Sequence, residues 1–111
     1  MEMLCRHLAS HGESLDWNAV WESLDKADTD TLLAALTEVR AATLAYLDDL
    51  TEAKIETPIS LPQGWQGYFG GATEIEPEEL LRWVVRHEYY HTGQLNTYAF
   101  LRAAHQPPAS E

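Results

Sequence analysis

The sequence predicts an all-α chain, an antiparallel helix bundle with three main helices and one long loop before the last of them. Three observations carry this prediction. Apolar residues recur at intervals of three or four over three stretches. Helix-capping residues stand where two of these stretches begin. The helix breakers Pro58, Pro62, Gly64, Gly67, Gly70 and Gly71 gather in one segment. At 111 residues the chain suits one domain, residues 1–111, with a single core.

The first helix is expected from about Glu2 to about Ser23, on the one-turn spacing of Leu4, Leu8, His11 and Leu15. Asp28, Thr29 and Asp30 then offer N-cap oxygens to a second helix. Along it Leu32, Leu36, Val39, Thr43, Leu47 and Leu50 form the clearest amphipathic stripe in the chain. From Thr51 to Ile75 a long loop is expected, with up to two short strands; Ile55-Glu56-Thr57 is one extended candidate. Pro77 suits the first position of a third helix, and Glu76, Glu78 and Glu79 complement the positive end of its dipole. That helix is expected to end near Ala103 or Ala104, before Pro107 and Pro108. Leu80, Val84, His87, His91, Leu95 and Tyr98 share one of its faces.

Composition narrows the function. Eighteen acidic against seven basic residues give a net charge of −11, which repels phosphate backbones and anionic membranes. Neither nucleic acid nor a membrane is an expected partner. The start of the sequence lacks the apolar core of a signal peptide, and no apolar run approaches the ~20 residues of a membrane span. The lone Cys5 has no disulfide partner and suits a reducing compartment. A cytoplasmic protein is the expectation.

The chemistry lies in His87-Glu88-Tyr89-Tyr90-His91-Thr92-Gly93-Gln94. Imidazoles four residues apart on a helix leave the same face and can grip one metal ion. His7 and His11 repeat the spacing near the other end of the chain. If the two helices pack together, His87, His91 and one N-terminal histidine, His7 or alternatively His11, would hold a divalent metal. Zinc or nickel suits such ligands first, iron or manganese next. Three ligands leave a coordination position for water or substrate, whereas both members of the first pair would close the site and favour a structural role. The bland alternative is that core histidines merely hydrogen-bond to backbone or to Gln94.

His87-Glu88-Tyr89-Tyr90-His91 also matches H-E-x-x-H, in which the glutamate is a metalloprotease's general base. The match is weak, because Gln94 and Thr97 stand where the longer signature wants Gly and His, and no later helix supplies another ligand.

The third helix, with His87-x-x-x-His91-Thr92-Gly93-Gln94 running on to Leu101-Arg102, resembles the last helix of the DinB-like, damage-inducible bundle proteins. Leu4-Cys5-Arg6-His7-Leu8-Ala9 resembles the helix that carries their first histidine ligand. The resemblance implies a four-helix bundle with a three-histidine metal site, His87, His91 and His7 matching its ligands and His11 the alternative to His7. It also implies kinship with thiol-dependent transferases and isomerases that use bacillithiol or mycothiol, and so a small-molecule substrate and a low-molecular-weight thiol. The family usually has a helix before the first histidine, and here the sequence begins almost at that residue. Either a second copy covers the open side in a homodimer, or the start of the sequence has lost a helix.

Other residues have plainer readings. Glu88 is a candidate base on a metal-bound water or a solvated side chain; Gln94 is a candidate partner orienting a ligand ring or a packing amide. Tyr89 and Tyr90 are expected to pack against neighbouring helices, and Trp17, Trp21 and Trp83 to anchor the core or an interface. Cys5 reads as a small buried apolar residue, His105 as exposed. The segment Gly64–Gly71 would suit a lid, or aromatics that tuck the loop onto the bundle. Metal-dependent thiol transfer is the leading expectation, with metal-dependent hydrolysis or a non-catalytic scaffold as alternatives.

Overall fold

A glycine decides where the first helix stops. In a computed structural model, which describes residues 1–106, α1 spans Glu2–His11 and ends on Gly12 in the left-handed region, φ 68°. The Gly12 N–H closes the turn on the Leu8 carbonyl at 2.8 Å. The single helix expected as far as Ser23 is therefore two. The chain restarts as α2, Trp17–Asp25, where the Asp16 carboxylate accepts from the N–H groups of Asn18 and Ala19.

Asp28 caps the next helix, α3, Thr29–Asp48, by accepting from the Thr31 N–H at 2.8 Å. The loop that follows carries more local structure than its breakers suggest. A short α4, Glu52–Glu56, is capped by Thr51, so Ile55 and Glu56 are helical rather than extended. The extended pieces are β1, Ile59–Ser60, and β2, Glu74–Ile75, paired antiparallel with Ile59 opposite Ile75. Between them lie α5, Gln63–Gln66, and a 3-10 turn, Gly67–Phe69. Finally α6 runs Pro77–Ala104, with Pro77 at its start and Glu78 and Glu79 in its first turn. Pro107 and Pro108 lie outside the described residues. None of the described helices is long and apolar enough to cross a membrane.

The core sits at one end of the molecule. Leu4, Cys5, Leu8 and Ala9 of α1 meet Leu80 and Val84 of α6, and the loop adds Leu61, Trp65 and Ile75. Helix α1 packs on both α6 and α3. Length explains what stays uncovered: at 1.5 Å per residue α6 is about 42 Å long and α1 about 15 Å, so α1 shields only the first half of α6. Consequently His91, Leu95 and Tyr98, expected on a core stripe, are exposed. The α3 stripe is likewise not closed within the chain. Thr43 is its one buried member, and Leu36 is 66% exposed.

Candidate metal centre

Helical spacing places His87 and His91 one turn apart on α6, and their rings meet tip to tip. The two Nε2 atoms are 2.9 Å apart and the ring planes are nearly perpendicular, at 83°. Each ring is held from outside the pair. Trp83, one turn earlier, stacks on His87 at 5.3 Å between centroids. Gln94 places its Oε1 2.7 Å from His91 Nδ1 and donates its own amide to the Tyr90 hydroxyl at 3.3 Å.

The orientation of the Gln94 amide assigns the protons. An amide oxygen only accepts, so His91 carries its proton on Nδ1 and presents the lone pair of Nε2; His87 then donates from Nε2 to it. Partial burial, with the neighbouring His91 charge adding to it, holds the His87 pKa below its ordinary value. Neutral rings are what a metal requires. His87 and His91 could supply two imidazole ligands to one ion, provided His87 moves its proton to Nδ1.

The N-terminal histidines form a pair of their own. His7 and His11 stack with ring centroids 4.4 Å apart. His7 Nε2 faces the Glu13 carboxylate at 3.8 Å, and His11 Nδ1 meets Ser10 Oγ at 2.7 Å. Among the described residues no group of three or more His, Cys, Asp or Glu side chains is gathered to hold a metal ion. The structure thus joins the histidines within each pair and does not bring the two pairs to one point.

Glu88 is engaged by Arg40, which reaches across from α3 and also grips Glu2 of α1 through three contacts of 2.9, 3.0 and 3.2 Å. Arg6 of α1 adds a second tie, donating to the Val39 carbonyl and to Thr43 Oγ1. Cys5 is fully buried, and burial pushes its thiol up to about 12, so it is neither thiolate ligand nor nucleophile.

The loop aromatics form a packed cluster beside the histidines. Trp65 is buried and lies 6.2 Å from Trp17 and 6.4 Å from Trp83; Phe69 is 5.7 Å from Trp83. Trp17 and Trp83 are half-buried as anchors, whereas Trp21 is exposed. Tyr89 and Tyr90, expected to pack, are exposed at 76% and 63% because none of the described helices covers that part of α6. His105 caps α6, its Nδ1 2.8 Å from the Leu101 carbonyl, and is exposed.

Two neighbours of the site escaped sequence reasoning. Trp83 had a signal, since it stands one turn before His87. Arg40 had none, because its contact with Glu88 spans 48 positions. An apolar groove of about 560 Å³ between α1, α2 and α3 is lined by Leu4, Trp17, Trp21 and Leu36 among others; none of the histidines borders it.

A protein-family model described as the DinB superfamily matches residues 1–95. No curated protein and no solved structure matches the chain.

Proposed function

The chain belongs to the DinB superfamily, and from that premise we propose a metal-dependent bundle enzyme in which His87 and His91 supply two ligands to one divalent ion. The observation that carries the reading is the 2.9 Å approach of their Nε2 atoms, with His91 Nδ1 already bonded to Gln94. His7, on the helix packed against α6, is the proposed third donor, and His11 the alternative. Either role requires the His7–His11 stack to open.

Gln94 orients His91, and the Trp83 face steadies His87; neither touches the reacting atoms, so both are positioning residues. Glu88, paired with Arg40, is the candidate base beside the site. A zinc- or nickel-class ion, when bound, would supply the acidification that turns a thiol or water into a nucleophile near neutral pH. Transfer of a low-molecular-weight thiol to an electrophile is the chemistry that the family resemblance implies, and hydrolysis is the alternative. A second reading is favoured by the want of a third donor among the described residues: the pair is a hydrogen-bonded surface element that binds no metal.

Elemental analysis of untagged protein separates the two. The enzyme reading expects one metal per site, lost in His87→Ala and His91→Ala with helical circular dichroism retained. Gln94→Ala should weaken metal affinity by roughly 10- to 100-fold, as loss of a ligand-orienting partner does. Full occupancy in either histidine variant, or none in the natural protein, sinks the proposal. Thiol-transfer activity insensitive to a chelator would remove the mechanism while leaving the site.

A further inference from the structure

The groove between α1, α2 and α3 opens because the first helix stops at Gly12. Helix α1 packs closely on α3, whereas α2, restarted after the break, does not. The space left between them is about 560 Å³, within the roughly 300–1,000 Å³ of small-molecule sites. Its lining grades from buried to open. Leu4 of α1 is fully buried and Trp17 of α2 half-buried, while Trp21 of α2 and Leu36 of α3 border it at 62% and 66% exposure. No residue of α6 lines it, so the groove is separate from the histidine pair and from the uncovered end of that helix.

Charge selects what the groove can hold. Its charged side chains are Glu2 and Glu38, both acidic. Arg40 occupies both carboxylate oxygens of Glu2. Glu38 is exposed and, among the described residues, has no ion-pair or hydrogen-bond partner. Covering an unpaired carboxylate with apolar surface is costly unless a cation comes with it. The faces of Trp17 and Trp21 attract the same sign of charge. An anion would meet Glu38 and the −11 of the whole chain.

We propose that this groove binds a small organic cation, an amine or quaternary ammonium carried on an apolar body. The body lies along the apolar lining around Leu4 and Trp17, and the charge is turned toward Glu38. A fatty carboxylate of the same shape has the wrong sign, and a second copy of the chain brings a further −11 with it. This inference does not depend on the metal.

Isothermal titration calorimetry of the natural chain with three probes of one size, phenylbutylamine, phenylbutanol and phenylbutyrate, tests it. The amine should bind once per chain and about tenfold more tightly than the carboxylate, with the alcohol between them. Glu38→Gln alters one exposed side chain and should weaken the amine roughly three- to fivefold while leaving the alcohol as it was. Trp21→Ala should weaken the amine by a similar factor, with helical circular dichroism retained in both variants. The comparison of probes on the natural chain gives an answer even if a variant fails to fold. Absence of saturable binding for all three probes at millimolar concentration overturns the proposal. So does a carboxylate that binds as tightly as the amine, or an amine affinity unchanged in Glu38→Gln. Amine binding that vanishes as protein concentration is raised also overturns it, by giving the groove to a second copy.

Discussion

Arg40 shows how much of this bundle's cohesion passes through a single side chain. Standing on α3, it grips Glu2 of α1 and Glu88 of α6, so one guanidinium spans three helices. Burial alone would raise the Glu2 carboxyl. Hydrogen bonds from Arg40 and Thr43 and the charges of Arg40 and Arg6 outweigh it and hold the pKa below the ordinary 4.5. A carboxyl lowered in the folded state contributes stability that is complete above its unfolded value and is lost as pH falls through the folded one. Because Arg40 is half exposed, the contribution belongs within the roughly 1 kcal/mol of partly solvated pairs. Urea unfolding of the natural chain and Glu2→Gln, from about pH 7 to about pH 3, should show an advantage for glutamate that shrinks in acid. A difference that stays constant with pH would assign the residue to packing instead.

Among the elements, α1 and α2 show what sequence patterns reveal and what they conceal. The starts of α3 and α6 were legible because Asp28 and Pro77 act locally, on the first turn of their own helices. The break at Gly12 was printed in the sequence but masked, since Leu4, Leu8, His11 and Leu15 keep helical spacing straight through it. Leu15 is half-buried even though it lies between helices, so the chain returns to the core without remaining helical. The site divides the same way. The meeting of His87 with His91 follows from one turn of helix, whereas the partners of Glu88 and the exposure of Tyr89 and Tyr90 depend on which distant helix lies alongside. Gly12 offers a clean test of local control. A Cβ there would meet nothing within 4 Å, so only the left-handed backbone, φ 68°, resists a side chain. Gly12→Ala should therefore cost roughly 1–2 kcal/mol, with Gly12→Asn costing less. Measured by chemical denaturation, an unchanged Gly12→Ala would mean that α1 ends without the left-handed turn.

At the scale of the whole molecule, the distribution of charge opposes association and the distribution of apolar surface favours it, so ionic strength should tip the balance. Two copies at −11 repel each other over distances that salt controls: the screening length is about 30 Å at 0.01 M and about 8 Å at 0.15 M. The exposed apolar stretches, Thr31 to Leu47 of α3 and Tyr89 to Leu101 of α6, contain few fixed charges, so salt has little to weaken there while it removes repulsion elsewhere. The dimer dissociation constant should accordingly fall several-fold between these two salt concentrations. Sedimentation equilibrium at both concentrations checks this. An interface resting on ion pairs would respond in the opposite sense, and a dissociation constant that rises with salt would place the contact on the charged surface instead.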